Sequence, residues 1–330
     1  MSPDAAQDDL SADGVAYFDD RKPKTVDFLA EVLEGLAKSP KCIPPKFFYD
    51  DAGSHLFNAI CETEEYYVTR TETALMAEIG PEIAALAGSG RVVVEYGCGS
   101  SLKIDILLNL LDSPAEFLGI DISGEHLRQT VIEIARDHPE VRVGGLCADF
   151  SGGLALPNNV GEGRLLAFFP GSTIGNQTPA EAEEFLHDVR ATVGDYGEML
   201  IGVDLRKSPD ILNPAYNDAA GYTAEFNLNL LHRMVNELSA DLEIESFRHK
   251  AFFNEAESRI EMHLESLKAQ TIAVGGQSFH FAEGETIHTE NSHKYSIEDF
   301  GALAGRAGFD VRKTWTDKDQ LFSVHYLQAK

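Results

Sequence analysis

The stretch RVVVEYGCGSSLK, residues 91–103, decides the fold class. Val92 to Tyr96 is a run of β-branched and apolar residues typical of a buried strand, and glycines at positions 97 and 99 interrupt it. A helical pattern follows, with apolar residues at positions 104, 107, 108 and 111. A strand that passes through a glycine turn into a helix predicts the first half of a βαβ unit.

The same alternation continues for about a hundred residues. Strand patterns end at Asp121, just before Asp149, at Phe169 and at Asp204, and helical patterns separate them. This predicts a parallel sheet with helices on both faces.

The alternation stops near Ser208. A long helical pattern at 219–238 and antiparallel-looking segments up to His293 come next, before a final helix and two C-terminal strands. We expect those two strands to form a hairpin that completes the sheet, so the segment between is an insertion.

Composition excludes several classes of partner. The formal net charge is −27 in 330 residues, which argues against nucleic acid and anionic membranes as partners. The N-terminus carries no apolar signal region, and no run of 18 apolar residues occurs. The four scattered cysteines fit a reduced, cytoplasmic setting.

Polar residues at the strand ends indicate an adenosyl ligand. Gly97 and Gly99 allow close approach to the backbone, but Leu102 stands where a dinucleotide fingerprint needs its third glycine. Asp121 can accept both hydroxyls of a ribose, while Asp149 and Phe150 can bind and stack on an adenine. Each feature alone has an ordinary alternative, a tight turn or a helix cap. Together, at consecutive strand ends, they favour S-adenosylmethionine.

The stretch FFPGSTIGNQTP, residues 168–179, places one carboxamide at the same edge. Thr178 and Pro179 read as the N-cap and first residue of the next helix. Asn176 therefore lies at the carboxyl end of a core strand, where ligands bind in open α/β sheets.

A set of motifs in order along the chain resembles one family: PPKFFYDDAGSHLF, EEYYVTRTE, EYGCGSSLK, FPGSTIGNQTP, AYNDAAGYTAEFN, SRIEMHLES and TENSHKY. The chain is similar, from about Lys24 to its end, to the histidine-specific Nα-methyltransferases of ergothioneine biosynthesis. The resemblance implies S-adenosylmethionine-dependent conversion of L-histidine, through mono- and dimethylhistidine, to the trimethylated betaine hercynine.

It also implies a Rossmann-like class I methyltransferase fold of the α/β class with a second, α+β substrate-binding domain. We expect residues 1–15 to be a mobile N-terminus. Residues 16–70 and 208–292 form the predicted substrate-binding domain, and residues 71–207 and 293–330 form the methyltransferase domain.

The resemblance assigns roles residue by residue. The cofactor positions are Gly97, Lys103, Asp121, Asp149 and Phe150, and we add Gly99, the second glycine of the same loop. The substrate positions are Tyr66, Asn176, Tyr216, Met262, Glu290 and Ser292. Asn176, aided by Tyr216, is expected to hold the α-carboxylate, and Glu290 with Ser292 to read the imidazole. Tyr49 and Tyr66 are expected to approach the α-amino group as catalytic residues.

Other interpretations remain open. A related enzyme could methylate tryptophan or another aromatic amine, or an inactive scaffold could keep the fold. His288 and His293 beside Glu290 raise a metal hypothesis, but this kind of methyl transfer requires no metal. We expect a monomer with a small-molecule substrate and no metal.

Overall fold

The computed structural model describes residues 10, 12–21, 28–99, 101–150 and 152–330. Most of the expected mobile N-terminus, 1–15, therefore lies outside the described residues. Fourteen strands and nine α-helices are described in these ranges. The strands are β1 (Val15–Asp20), β2 (Lys41–Cys42), β3 (Val92–Tyr96), β4 (Glu116–Asp121), β5 (Arg142–Cys147), β6 (Leu165–Phe169), β7 (Glu198–Asp204), β8 (Phe247–Asn254), β9 (Arg259–Ser266), β10 (Gln270–Val274), β11 (Gln277–Phe281), β12 (Thr286–His293), β13 (Phe309–Thr316) and β14 (Phe322–Ala329).

The helices alternate with the strands in the first half of the chain. They are α1 (Phe28–Ala37), α2 (Asp51–Cys61), α3 (Tyr67–Ala87), α4 (Ser101–Leu110), α5 (Gly124–Asp137), α6 (Pro179–Val193), α7 (Pro209–Ala215), α8 (Tyr222–Leu238) and α9 (Ile297–Arg306). None of the helices in the described part of the chain combines the length and hydropathy that crossing a bilayer requires.

One large sheet has the order β1-β5-β4-β3-β6-β7-β14-β13. Every pairing from β1 to β7 is parallel, and β14 runs antiparallel to both β7 and β13. The predicted α/β class and the C-terminal hairpin are confirmed. The chain leaves β3 toward β4 but later returns to β6 on the other side, so the topological switch point lies between β3 and β6.

The sheet is covered on both faces, as its sequence pattern indicated. Val93 and Leu166 belong to one apolar cluster, whereas Val94 and Ala167 belong to another, because successive strand residues point to opposite faces. The first cluster continues into the inserted segment, where Phe226 and Ile260 belong to it. The insertion therefore shares a continuous core with the sheet.

A second, smaller sheet has the order β2-β12-β9-β8, with β12, β9 and β8 antiparallel. Helices α2 and α8 pack against each other, and α8 packs on β8. The division of the chain into two domains remains a proposal, and two details differ from the expected bounds. Strand β1 pairs with β5 in the large sheet, and residue 70 lies inside the continuous helix α3.

Candidate active site

The carboxyl ends of β3, β4, β5 and β6 bring the expected cofactor residues to one edge. Gly97, directly after β3, has φ +74, a conformation that favours glycine. A Cβ there would lie 4.0 Å from the Phe150 ring, and one at Gly99 would meet no atom within 4 Å. The loop therefore faces open space beside an aromatic ring.

Asp121 ends β4 with its carboxylate held in place. One carboxylate oxygen accepts a hydrogen bond from the Ser123 backbone N–H at 2.8 Å. Burial raises the pKa of Asp121 to about 6. Asp149 is exposed one strand further on, and Phe150 meets Tyr96 edge-on with ring centroids 5.7 Å apart. A carboxylate and an aromatic ring thus flank the glycine loop, which fits an adenosyl group.

Lys103 extends from α4 to a buried carboxylate on α3. Its Nζ lies 2.6 Å from Glu72 Oε2, and the Glu72 side chain is almost wholly buried. Both Glu72 oxygens accept the Gly171 backbone N–H at 2.9 Å. Glu72, which sequence reasoning missed, therefore holds the Lys103 ammonium against the loop that follows β6.

Asn176 closes a short 3₁₀ turn, Thr173–Asn176, after β6. The turn lies directly on β12, since a Cβ at Gly175 would come within 2.8 Å of the His293 carbonyl oxygen. The carboxamide of Asn176 is half-buried, and none of the described residues hydrogen-bonds to it. A half-buried carboxamide without a protein partner can hydrogen-bond to water or to a ligand.

Aromatic side chains of the N-terminal segment pack against aromatic side chains of the insertion. Tyr49 meets Phe57 and Phe226 edge-on, at 5.7 and 5.4 Å between centroids, and Tyr66 meets Tyr216 at 6.2 Å. Tyr49 keeps 42% of its surface exposed. Burial raises the pKa of Tyr49 and of Tyr66 well above the ordinary value, and the Glu290 carboxylate adds to both rises.

Glu290 and Ser292 lie on β12, and Met262 pairs with Glu290 from β9. The strand register shifts between His288 and Glu290, so an irregularity directly precedes the glutamate. Glu290 is half-buried, burial raises its pKa to about 7, and its carboxylate accepts no hydrogen bond from the described residues. The side chain is thus a second polar group without a protein partner.

Ser292 and Tyr216 belong to a buried polar network that the sequence did not reveal. Their hydroxyl oxygens lie 2.8 Å apart, and the Lys294 ammonium donates to both, at 2.8 Å and 3.0 Å. Lys294 also lies 2.7 Å from Asp204, at the end of β7. Lys207 pairs with the other Asp204 oxygen at 2.6 Å. The one available signal was that Lys294 follows Ser292 at strand spacing.

The histidines of β12 do not gather around the Glu290 carboxylate. His288 stacks on His263 at 4.6 Å between centroids, and the Glu261 carboxylate accepts a hydrogen bond from His263 Nε2 at 3.1 Å. Glu261, His263 and His288 place potential ligand atoms within 4.8 Å of one another, but Glu261 is already held by Arg259 and Asn254. The lone pair of an imidazole nitrogen lies in the plane of its ring, and the stacked rings of His263 and His288 lie in nearly parallel planes. Their lone pairs therefore do not converge on one ion, and we interpret Glu261, His263 and His288 as packed side chains.

The sequence-predicted residues therefore occupy two neighbouring sets. Gly97, Gly99, Lys103, Asp121, Asp149 and Phe150 lie at the sheet edge. Asn176, Met262, Glu290 and Ser292 lie where the turn after β6 meets β12 and β9, Tyr216 contacts Ser292, and Tyr66 contacts Tyr216. That these residues and Tyr49 line one substrate site remains a prediction. The Asp121 carboxylate also contributes to the raised pKa of Tyr49.

The chain is similar over most of its length to known methyltransferases. A family model described as "Histidine-specific methyltransferase, SAM-dependent" matches residues 28–329. The chain is 39% identical over 292 residues to the histidine N-alpha-methyltransferase of Mycolicibacterium smegmatis, covering 87% of this chain and 90% of that protein. It is 37% identical to the enzyme of the same name from Mycobacterium tuberculosis, over 91% and 94% of the two chains. Similarity to 4-dimethylallyltryptophan N-methyltransferase easF of Claviceps purpurea is lower, 26% over 90% and 94%. The chain belongs to the histidine-specific, S-adenosylmethionine-dependent methyltransferase family.

Proposed function

We propose that this protein transfers methyl groups from S-adenosylmethionine to the α-amino nitrogen of L-histidine. Mono- and dimethylhistidine are intermediates, and the product is hercynine, as in the first step of ergothioneine biosynthesis. One observation carries the proposal at the site. Asn176 and Glu290 are both half-buried, none of the described residues hydrogen-bonds to their side chains, and the turn that ends at Asn176 packs on β12, the strand of Glu290. The substrate would lie in a cleft bounded by these two residues and by Tyr49, Tyr66 and Tyr216.

The sheet edge would hold the cofactor. Asp121 would accept the ribose hydroxyls, Asp149 and Phe150 would bind the adenine, and Lys103 would lie toward the methionine end. When bound, S-adenosylmethionine supplies an electrophilic methyl group on a sulfonium. The space beside Gly99 fits such a ligand, because no atom counted among the described residues lies within 4 Å of a Cβ placed there.

The cleft would hold histidine by its polar ends. The Asn176 amide N–H donates to the α-carboxylate without bringing a further cation beside the sulfonium, and Glu290 accepts from an imidazole N–H. Met262, which is 2% exposed, supplies apolar wall next to the ring. Tyr216 closes the cleft, but its hydroxyl already contacts Ser292 and Lys294, so its direct contact with the carboxylate remains a prediction.

Tyr49 and Tyr66 would align the α-amino nitrogen. The pKa of each phenol is raised well above the ordinary value by burial, so both stay protonated and neither serves as a phenolate base. They therefore act by hydrogen bonding and by fixing the direction of the nitrogen lone pair for in-line attack. The amine proton leaves to water. As methyl groups accumulate, the tyrosine faces stabilise the developing quaternary ammonium by cation–π contact.

An enzyme for tryptophan or another aromatic amine is the alternative. An indole has one N–H and no ring acceptor, so it would offer the buried Ser292 hydroxyl no acceptor for its proton. A site built to hydrogen-bond a ring rejects an analogue that cannot do so by about 10⁴–10⁵ in kcat/KM.

The test is a methyl-transfer assay with the purified full chain. L-histidine, dimethylhistidine, tryptophan and phenylalanine are each incubated with S-adenosylmethionine, and products are identified by mass and fragmentation. We expect trimethylation on the α-nitrogen, with dimethylhistidine a competent substrate. Ring-methylated histidine as the only product, or transfer to tryptophan but not histidine, would refute the proposal. We further propose that the enzyme acts in the cytoplasm as a monomer without metal, consistent with its free cysteines and acidic surface.

A further inference from the structure

His249 contacts the backbone of Tyr216, the tyrosine that closes the proposed cleft. It lies on β8, and its Nε2 is 2.9 Å from the Tyr216 carbonyl oxygen. Tyr216 directly follows helix α7, and the last carbonyls of a helix have no donor within the helix. His249 therefore lies where a side chain can supply the hydrogen bond that the helix does not.

The partners of a second side chain determine which ring nitrogen of His249 carries the proton. Asn227, on α8, is 0% exposed, and its Nδ2 lies 3.0 Å from the His263 carbonyl oxygen and 2.9 Å from His249 Nδ1. A carbonyl oxygen only accepts, so the amide atom that faces it is the NH₂ group. The Thr289 hydroxyl donates to the other amide atom, Asn227 Oδ1, at 2.8 Å, which agrees with this orientation.

This orientation of the amide fixes the tautomer of His249. The Asn227 amide presents an N–H to Nδ1, so Nδ1 accepts and carries no proton. The proton of the neutral ring is then on Nε2, which donates to the Tyr216 carbonyl. Burial lowers the pKa of His249 below its ordinary value of 6.5, although the Tyr216 carbonyl and the Asp218 carboxylate act to raise it, so the ring is neutral at pH 7.

We propose that His249 is a positioning residue for Tyr216, which it holds by one hydrogen bond from Nε2 to the backbone. The inference rests on the proposed function, in which Tyr216 aids Asn176 in holding the α-carboxylate of histidine. Loss of the bond weakens histidine binding and spares the cofactor, because Tyr216 and Asn227 belong to the inserted segment and not to the sheet edge.

Two polar substitutions separate the roles of the two ring nitrogens. The terminal amide of glutamine lies where the imidazole has Nε2, and that of asparagine lies where it has Nδ1. His249→Gln therefore keeps a donor for the Tyr216 carbonyl, whereas His249→Asn keeps only an acceptor for Asn227. Neither side chain ionises, so the variants differ mainly in the bond to Tyr216.

The experiment measures kcat and KM for histidine with the purified full chain, together with the Kd of S-adenosylhomocysteine. His249→Asn should raise the histidine KM by about 10-fold, the low end of the range for a hydrogen bond to a charged group, because Tyr216 moves away from the carboxylate. His249→Gln should keep a KM close to that of the wild type, and both variants should keep the Kd. An equal rise of KM in both variants, or an equal loss of cofactor affinity, overturns the proposal.

His263 on the neighbouring strand β9 provides the matched control. It is also half-buried and burial also lowers its pKa, but its two ring nitrogens contact Glu261 and Thr286. His263→Asn should leave the histidine KM at the wild-type value. A rise as large as that of His249→Asn would show that any polar change in this sheet disturbs the site, and would overturn the proposal.

Tyr216→Phe distinguishes positioning from a general loss of structure. Because His249 acts through the Tyr216 hydroxyl, His249→Asn should raise the histidine KM much less in the Tyr216→Phe protein than in the wild type. The same factor in both proteins would mean that the two residues act independently, and would overturn the proposal.

A measurement on the wild type keeps the test decisive if a variant does not fold. Nitrogen-15 NMR of the protein labelled at histidine should show, at neutral pH, a protonated Nε2 and an unprotonated Nδ1 for His249. A protonated Nδ1 overturns the proposal. Failure of the wild type to methylate histidine would instead reject the proposed function, whatever the tautomer of His249.

Discussion

Glu290 should reduce the stability of the folded protein, and removing its charge should increase the free energy of unfolding. Burial raises the pKa of Glu290 from 4.5 to about 7 without a hydrogen-bond donor to compensate. A carboxyl group whose pKa is raised in the folded state destabilises that state when it ionises. The loss in the free energy of unfolding therefore begins as pH rises above 4.5 and is complete above about 7. At about 1.4 kcal/mol for each pKa unit, the full cost is about 3 kcal/mol.

Glu290→Gln keeps the shape of the protonated acid and cannot ionise. By the same relation, the free energy of unfolding of Glu290→Gln should exceed that of the wild type by about 1 kcal/mol at pH 5 and about 3 kcal/mol at pH 8.5. Urea unfolding at the two pH values, monitored by circular dichroism, measures it. The same variant should raise the histidine KM, because the amide offers a weaker acceptor to the imidazole N–H.

Glu261 on the neighbouring strand is the matched control of opposite sign. Burial acts to raise its pKa, but hydrogen bonds from Asn254, Arg259 and His263 outweigh it and lower the pKa to about 2. Its stabilisation is present above pH 4.5 and is lost only as pH falls toward 2. Glu261→Gln should therefore destabilise by a similar amount at both pH 5 and pH 8.5. A Glu290→Gln protein no more stable than wild type at pH 8.5, or a gain that does not grow with pH, would refute the reasoning.

Three further predictions concern ligand binding. Asn176→Ala should raise the histidine KM by about 10- to 150-fold, the value of one charge-assisted hydrogen bond, and leave the S-adenosylhomocysteine Kd nearly unchanged. Equal losses of affinity for both ligands would mean that Asn176 only supports its loop. The affinity for S-adenosylhomocysteine should fall as pH drops through about 6, where the raised pKa of Asp121 lets it protonate. Calorimetry on Asp121→Asn should show weaker binding of S-adenosylhomocysteine without that pH dependence. A pH dependence that persists in the variant would show that a group other than Asp121 causes it. Gly175→Ala should raise the histidine KM, because its Cβ would lie 2.8 Å from the His293 carbonyl oxygen and push Asn176 away from β12. Wild-type kinetics would show that the turn accommodates the methyl group without moving Asn176.

The sequence alone was enough to predict the parts of the fold that depend on local spacing. The buried strand before Gly97, the helix starting at Pro179 with Thr178 as its cap, and the C-terminal hairpin were predicted from alternation, helical periodicity and turn residues. The carboxyl ends of parallel strands meet at one edge, so Asp121 and Asn176 could also be expected near a shared ligand site.

What only the tertiary structure decided is which polar groups meet in the interior. Lys294 reaches Asp204 across 90 residues of chain, and Lys103 reaches Glu72 from a different helix. The free energy of such pairs depends on burial and on partners from distant elements, which no local pattern reports. The same reason explains why β1 lies at the far edge of the large sheet. The short strand pattern of β1 does not indicate that it pairs with β5.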